Sequence, residues 1–186
     1  MTLIRFASST SDLKQILLLQ SDNAKSALSA SARENEGFVT VLHSLDQLQE
    51  MQRQSPQILA VDSDTLAGYA LVMPRELKNS IPVLIPMFNL LDTLTYKGAP
   101  VKDLRYYVMG QICVAKAYRG KGVFRQLYAA HKKYLSGTYD FCITEISSRN
   151  LRSMRAHEKV GFTLLHRFSD ATDEWNIVLW DWTDSV

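Results

Sequence analysis

Residues 107–135 read YVMGQICVAKAYRGKGVFRQLYAAHKKYL, and this stretch decides the fold. The apolar and β-branched run Tyr106–Val114 predicts a strand. A helix follows, because residues recur at the spacing of one helical face while most of the charged residues fall off it: Val123, Leu127, Ala130, His131 and Tyr134. Between the two elements, residues 119–122 read Arg-Gly-Lys-Gly and predict a tight turn. The stretch is therefore a strand, a glycine turn and an amphipathic helix.

The glycine turn has the chemistry of an anion site. Gly120 and Gly122 allow the backbone to come close to a ligand. The turn opens into a helix N-terminus, where unpaired N–H groups and the positive end of the helix dipole favour a phosphate or pyrophosphate. Arg119 and Lys121 add positive charge. The spacing matches neither a P-loop nor a Rossmann fingerprint.

The same residues resemble the acetyl-CoA signature of the GNAT superfamily of N-acetyltransferases. That signature is Arg/Gln-x-x-Gly-x-Gly/Ala after a strand that ends in a short apolar triplet. Here Ile112-Cys113-Val114 is the triplet, and residues 119–124 form the loop. Phe124 stands where the family has glycine or alanine.

A second motif of the family follows about thirty residues later. Residues 145–150 read Glu-Ile-Ser-Ser-Arg-Asn, and Ser153, His157 and the pair Gly161-Phe162 come after them. This resembles the strand and Asn-x-x-Ala/Ser-x-x-x-Tyr-x-x-x-Gly-Phe helix of the family, with His157 at the tyrosine position. Offsets of three, seven and eleven residues place these positions on one helical stripe.

The resemblance implies a set of acetyl-CoA-binding residues. The backbone of the triplet would pair with the pantetheine arm, and the backbone of residues 120–125 would hold the pyrophosphate. The expected cofactor-binding residues are Ile112, Cys113, Val114, Arg119, Gly120, Lys121, Gly122, Val123, Phe124, Arg125, Asn150 and Ser153.

Two side chains are candidates for proton transfer. His157 is the candidate general acid for the CoA thiolate, since its ordinary pKa of about 6.5 suits proton transfer near neutrality. Glu145 is the candidate general base, because burial in a central strand would raise the pKa of its carboxyl. The alternatives are a structural histidine and a glutamate held in an ion pair.

Composition limits the class of protein. We expect one domain over residues 1–186, with 46% hydrophobic and 22% charged residues. A net charge of +2 gives no argument for binding nucleic acid or a membrane surface. Cys113 and Cys142 suit a reducing compartment, and no signal peptide is recognisable, so we expect a cytoplasmic protein. The remaining histidines show no metal-ligand spacing, and no metal site is expected.

The fold class expected from these elements is α/β. The GNAT resemblance implies a mixed, mostly antiparallel seven-strand sheet, flanked by helices and splayed between its fourth and fifth strands. A helical segment is also predicted at residues 23–33. Residues 74–101 form an apolar insertion before the fourth strand, bounded by prolines. It could pack on the core, form a homodimer contact or cover the acceptor side of the cleft; we predict the cover, because the insertion leads directly into the fourth strand.

The leading functional hypothesis is an N-acetyltransferase. It would move the acetyl group of acetyl-CoA to a primary amine of a small molecule or peptide, by direct attack without an acyl-enzyme. The alternative is a catalytically inactive CoA-binding regulatory or interaction domain, which the departures at Phe124 and His157 motivate.

Overall fold

The structure, a computed structural model, describes residues 2–29, 37–79 and 81–183. The strands are β1 (Leu3–Phe6), β2 (Ile58–Asp62), β3 (Thr65–Pro74), β4 (Thr95–Tyr96), β5 (Ala99–Pro100), β6 (Tyr106–Val114), β7 (Phe141–Ser147), β8 (Thr163–Ser169) and β9 (Glu174–Asp181). The α-helices are α1 (Thr10–Asp22), α2 (Leu45–Gln54), α3 (Ile85–Leu91), α4 (Val123–Leu135) and α5 (Leu151–Val160).

Seven of the strands form one sheet in the order β1-β2-β3-β6-β7-β9-β8, and β4 pairs with β5 in a separate hairpin. Neighbours in the large sheet are antiparallel except β6 and β7, which are parallel. Apolar side chains of α1, α2 and α3 pack on one face, and those of α4 and α5 pack on the other. This confirms the predicted fold class. Among the described residues, no helix has the length and apolar character needed to cross a membrane.

The parallel pair β6–β7 separates along its length. Register pairs join the two strands only from Tyr106 with Phe141 to Val108 with Ile143. One residue further, the Thr144 hydroxyl still donates to the Met109 carbonyl at 3.1 Å. The described register contains no β6–β7 pair beyond that point, so the carboxyl ends of the strands diverge. The predicted splay between the fourth and fifth strands of the sheet is confirmed.

A β-bulge lies in β6 close to the point of divergence. Leu71 pairs with Gln111 and Val72 with Met109, so Gly110 has no partner in β3. A bulge of this kind bends its strand and increases the local twist. It lies close to the point where the β6–β7 register ends.

A buried hydrogen-bond network holds the residue after the bulge. The Gln111 side-chain oxygen accepts from Gln20 at 2.7 Å and from the Tyr69 hydroxyl at 2.5 Å. Its side-chain nitrogen donates to the Val41 carbonyl at 2.8 Å. Because these partners come from α1, β3 and the segment before α2, the network fixes the bulged strand to three other parts of the chain.

The helix predicted at residues 23–33 is wrong over residues 23–29, and residues 30–33 lie outside the described part. Residues 23–27 form turns, and Ala24 makes a parallel bridge with Val39. The Asn23 side chain donates to the Leu19 carbonyl at 2.8 Å, which favours the end of α1. This hydrogen bond to the end of α1 competes with continuation of the helix into the alanine-rich segment.

The insertion at residues 74–101 lies at the end of β6 opposite the divergence. It enters β6 at Tyr106, and β6 runs through nine residues, about 27 Å, before it reaches Val114. Near that entry the Tyr96 hydroxyl donates to Asp181 at 3.0 Å, and Arg75 binds Asp92 at 2.5 Å. The insertion does connect directly to the fourth strand of the sheet, as the prediction assumed. It meets that strand at the Tyr106 end, however, and the cleft lies at the Val114 end.

The apolar residues of the insertion pack into the protein core. Met87, Phe88 and Leu91 on α3 are buried, and all three belong to the core cluster on the α1–α2 face. These side chains are therefore not available for a homodimer contact. The described residues of the insertion are also absent from the wall of the cleft described below, so packing on the core is the alternative that fits.

Candidate functional site

A cleft of about 890 Å³ opens where β6 and β7 diverge. Its walls come from the end of β6, the glycine turn with the start of α4, the length of α5 and the segment around Phe38. Eleven of the twelve expected cofactor-binding residues line it: Ile112, Cys113, Val114, Arg119, Gly120, Gly122, Val123, Phe124, Arg125, Asn150 and Ser153. The tertiary structure thus brings the two sequence motifs to one site.

Lys121, the twelfth of these residues, is not on the cleft wall. Its ammonium lies 5.5 Å from the centre of the Tyr118 ring, where it makes a cation–π contact.

The glycine turn presents the N-terminus of α4 to the cleft. Gly120 and Gly122 have φ angles of +75° and +81°, which side-chain-bearing residues rarely adopt. Gly122 is the N-cap and supplies no side-chain cap, and the first turn of α4 contains no acidic residue. The first N–H groups of a helix have no partner within the helix. They are the groups that would bind an anion here.

Arg119 fastens the turn to two neighbouring segments. Its Nε donates to the Val114 carbonyl at 3.1 Å, and its Nη2 donates to the Asn23 side chain at 2.5 Å. The guanidinium therefore links the glycine turn, the end of β6 and the end of α1. It adds positive charge to the cleft while it holds these three elements together.

The triplet at the end of β6 faces both layers of the protein. Ile112 and Val114 pack toward α4, and Cys113 packs into the core on the opposite face. Burial raises the pKa of the Cys113 thiol to about 12, so the thiol is neutral and unsuited to nucleophilic attack. In the described register, the backbone of the triplet has no partner in β7.

Helix α5 forms the facing wall and begins at a capped residue. Asn150 accepts from the Ser153 N–H at 3.2 Å, and its side-chain amide donates to the Phe38 carbonyl at 3.1 Å. The cap therefore also holds the segment that closes one side of the cleft. Sequence reasoning identified Asn150 and Ser153 by the family motif and did not predict the contact with Phe38.

Three basic residues of α5 on the cleft wall were missed by sequence reasoning. Arg152, Arg155 and Lys159 all line the cleft. Spacings of three and four residues place them on one face of the helix. That spacing was the available signal.

His157 does not lie on the cleft wall. It is 2% exposed, its Nδ1 donates to the Ser153 carbonyl at 2.8 Å, and its Nε2 accepts from the Tyr128 hydroxyl at 2.7 Å. The carbonyl can only accept, so the proton is on Nδ1. Burial lowers the pKa of His157 to about 4, and the ring is neutral near pH 7. This geometry conflicts with direct proton donation from His157 to a thiolate in the cleft.

The two departures from the family motif contact each other. The rings of Phe124 and His157 meet edge to face, with centroids 5.1 Å apart and planes at 87°. Phe124 lines the cleft, and Tyr128 and Phe162 complete the aromatic cluster around the histidine. A larger side chain at position 124 and a smaller ring at position 157 therefore form one packing unit.

Glu145 lies just past the last β6–β7 register pair. It shares its strand face with Phe141 and Ile143, on the side of the sheet away from α4 and α5. Its Oε2 atom is buried and has no hydrogen-bond partner among the described residues. Burial, and secondarily the charge of Asp170, raise the pKa of Glu145 to about 7. Glu145 is not among the residues that line the cleft.

Within the described ranges, no group of three or more His, Cys, Asp or Glu side chains could hold a metal ion. The cleft wall itself offers the N-terminus of α4 and basic side chains, and the carboxylate with a raised pKa lies behind it on the other side of the sheet.

The sequence model of the Acetyltransferase (GNAT) family matches residues 27–162. A search of curated protein sequences found no match.

Several solved structures share the fold. The ribosomal-protein-S18-alanine N-acetyltransferase of Escherichia coli is 12% identical, with 100% of this chain and 97% of that chain covered and a TM-score of 0.66. yncA of Salmonella typhimurium, solved with its cofactor acetyl-CoA, is 18% identical, with 100% and 96% covered and a TM-score of 0.64. The ribosomal-protein-alanine N-acetyltransferase of Brucella melitensis is 19% identical, with 96% and 99% covered and a TM-score of 0.63.

Proposed function

Because the chain belongs to the GNAT acetyltransferase family, we propose that it transfers the acetyl group of acetyl-CoA to a primary amine. The observation that carries this proposal is the divergence of β6 and β7 beside the uncapped N-terminus of α4. This arrangement offers an anion site for the pyrophosphate and a free strand edge for the pantetheine arm.

The reaction proposed is direct aminolysis of the thioester. The amine nitrogen forms a bond with the acetyl carbonyl carbon, and the carbon–sulfur bond then breaks to release the CoA thiolate. A backbone N–H of residues 112–114 would stabilise the oxyanion. Direct attack is favoured over an acyl-enzyme, because the Cys113 thiol beside the site is neutral at the pH of the reaction.

We propose that Glu145 is the general base, which removes the proton from the attacking amine directly or through a water molecule. Its carboxyl has a pKa of about 7 and one oxygen without a partner among the described residues. A base with a pKa near the working pH transfers protons efficiently. Glu145 faces the side of the sheet opposite the cleft, so the amine would approach through the gap between the strands.

We give His157 a positioning role. It joins α4 to α5 through Tyr128 and the Ser153 carbonyl, and Phe124 packs against it on the cleft side. The leaving thiolate would then take its proton from solvent in the open cleft.

The acceptor belongs to one of two classes, a small-molecule amine or a peptide N-terminus. Two of the fold relatives are named for acetylating alanine of ribosomal proteins, which makes a peptide with N-terminal alanine a reasonable member of the test panel. A cytoplasmic location fits the unpaired cysteines Cys113 and Cys142.

A second candidate function is that of a CoA-binding domain without catalysis. The burial of His157 favours it, because the side chain at the expected acid position is neutral and has both ring nitrogens engaged within the protein. Binding would remain, since the glycine turn and the α4 N-terminus do not depend on that residue.

The test is release of free thiol from acetyl-CoA with a panel of small amines and peptides, beside calorimetry of CoA binding. We expect turnover with at least one acceptor and a kcat/KM that falls as the pH drops below about 7. Glu145→Gln should lower kcat by about a hundredfold and remove the fall of kcat/KM at acidic pH. CoA binding without turnover on any acceptor supports the second candidate. If kcat/KM of the Glu145→Gln variant still falls below about pH 7, Glu145 is not the general base.

A further inference from the structure

One backbone edge of the segment that leads from Phe38 into α2 is fixed to neighbouring parts of the chain. The Val39 N–H donates to the Asn23 carbonyl, and the Val39 carbonyl accepts from the Lys25 N–H, both at 2.9 Å. Two positions on, the Val41 carbonyl accepts from the Gln111 side chain at 2.8 Å. Backbone groups of successive residues in an extended chain point to opposite edges. The odd-numbered residues therefore bind at this edge.

The other edge carries the backbone groups of Phe38, Thr40 and Leu42, and it begins at the cleft. Phe38 lines the cleft, and its carbonyl accepts from Asn150 at the start of α5. Thr40 and Leu42 are exposed, and their backbone groups make no hydrogen bond with any residue that the structure describes. Free N–H and C=O groups on a strand edge are a template for another extended chain.

This edge lies on the side of the sheet from which the amine would reach Glu145. Val39 belongs to the core cluster on the α1–α2 face, which is also the face of Glu145. Lys25, beside Val39, binds Asp173 at 3.4 Å, and Asp173 accepts from Ser147 at the end of β7 at 2.8 Å. The edge and the proposed base are therefore both next to the carboxyl end of β7.

We infer that the backbone of Thr40 and Leu42 binds the acceptor as an extended polypeptide, by strand addition. Pairing starts at the Thr40 N–H, because Asn150 already binds the Phe38 carbonyl. The first acceptor residue then lies opposite Val39, which lines the cleft, and its amine points to the reaction site. The inference rests on the proposed function and narrows its acceptor to the N-terminus of a polypeptide.

The acceptor runs parallel to the segment, since it leaves the cleft in the direction from Val39 to Leu42. Its first carbonyl accepts from the Thr40 N–H. Its third residue donates to the Thr40 carbonyl and accepts from the Leu42 N–H. This is the parallel pattern that Val39 already makes with the turn after α1. The N–H groups of the second and fourth acceptor residues point away from the edge.

The length of the edge favours a substrate over a second copy of this chain. From Thr40 to Leu42 it extends about 7 Å. A stable dimer buries about 1,200 Å² or more in total, which so short a strand does not provide. An acceptor needs only brief contact, because its product leaves after each turnover.

The test on wild-type protein compares acetyl transfer to alanine amide and to a hexapeptide that begins with alanine. The hexapeptide should have a kcat/KM about tenfold or more higher, since backbone hydrogen bonds are added. N-methylation of the third amide nitrogen should lower the hexapeptide value about tenfold. N-methylation at the second or fourth residue should change it little, and this alternation distinguishes strand pairing from side-chain contacts.

Leu42→Pro removes the N–H that binds the third acceptor carbonyl. It should lower kcat/KM for the hexapeptide about tenfold and leave alanine amide turnover and CoA affinity unchanged. Leu42→Ala is the matched control, because it removes the same side chain and keeps the N–H. Leu42 is 59% exposed, so both variants should remain folded, which circular dichroism checks.

Equal kcat/KM for the hexapeptide and alanine amide overturns the strand pairing while the proposed function stands. An N-methyl series without alternation, measured on wild-type protein, overturns it even if the proline variant does not fold. So does a dimeric mass in light scattering that Leu42→Pro halves, because a second copy would then occupy the edge. CoA binding without turnover of any acceptor contradicts the proposed function itself, and the inference with it.

Discussion

The two ends of the β6–β7 pair differ in how their basic side chains are paired, although Lys25 and Arg149 bind Asp173 beside the carboxyl end of β7. At the amino ends, where the strands are paired, basic side chains bind carboxylates: Arg105 lies 2.5 Å from Asp140, and Lys97 lies 3.0 Å from Asp181. At the carboxyl ends, where the strands diverge, Arg155 and Lys159 have no carboxylate partner among the described residues.

The two ends also differ in how they are packed. The insertion of residues 74–101 places Phe88 and Leu91 in the core near the paired end. Buried polar atoms without a hydrogen-bond partner in the described part of the chain occur at both ends: the Tyr106 hydroxyl at the paired end and Glu145 Oε2 close to the divergence. A buried polar atom without a hydrogen bond reduces stability. The packing at the paired end contributes to stability, whereas the proposed ligand site lies at the end where the strands diverge.

The largest expected effect tests the stabilising end. Phe88→Ala should lower the free energy of unfolding by about 3–5 kcal/mol, because the ring is fully buried and a cavity would remain. CoA affinity should not change, since α3 does not contact the cleft. Urea unfolding and calorimetry measure the two quantities. Asn89→Ala, at an exposed position of the same helix, is the control. Normal stability with a raised acceptor KM would restore the covering role first predicted for this segment.

The next effect tests the ligand end. Gly122→Asp should weaken CoA binding by about a hundredfold or more, because it brings a carboxylate and a strained backbone to the anion site. Gly98→Asp is a matched control: Gly98 has a φ angle of +84° and lies in the β4–β5 hairpin at the other end. It introduces the same strain and charge and should leave CoA affinity unchanged. A similar loss in both variants would mean that strain alone, and not the anion site, explains the result.

The smallest effect compares two carboxylates for stability. The pKa of Glu145 is raised to about 7 by burial, so folding favours its protonated form and stability falls as pH rises from about 4.5 to 7. Glu145→Gln should therefore raise the melting temperature at pH 8, by about 3 °C, and much less at pH 4.5. Asp92→Asn at the paired end should instead lower it slightly, since Asp92 binds Arg75 and Lys78. A lower melting temperature for Glu145→Gln at pH 8 would contradict the claim that the Glu145 carboxylate is unpartnered and reduces stability.

The sequence by itself determined the elements and the family. Residues 106–135 carry a strand, a glycine turn and an amphipathic helix in unbroken order, and such local patterns depend on spacing alone. The second motif, around Asn150, carried the same kind of signal. Both motifs could therefore be read without knowing what packs against them.

Only the tertiary structure decided which end of a strand each segment meets and which ring reaches the cleft. The insertion was predicted to lie at the cleft because it is next to β6 in sequence, yet β6 is long enough to carry the chain to the opposite end. His157 has the expected spacing, but contact with Phe124 and Tyr128 turns it into the core. The charges of α5 have meaning only once α5 faces the glycine turn. Burial and charge compensation depend on neighbours that are distant in sequence, and one-dimensional spacing does not contain them.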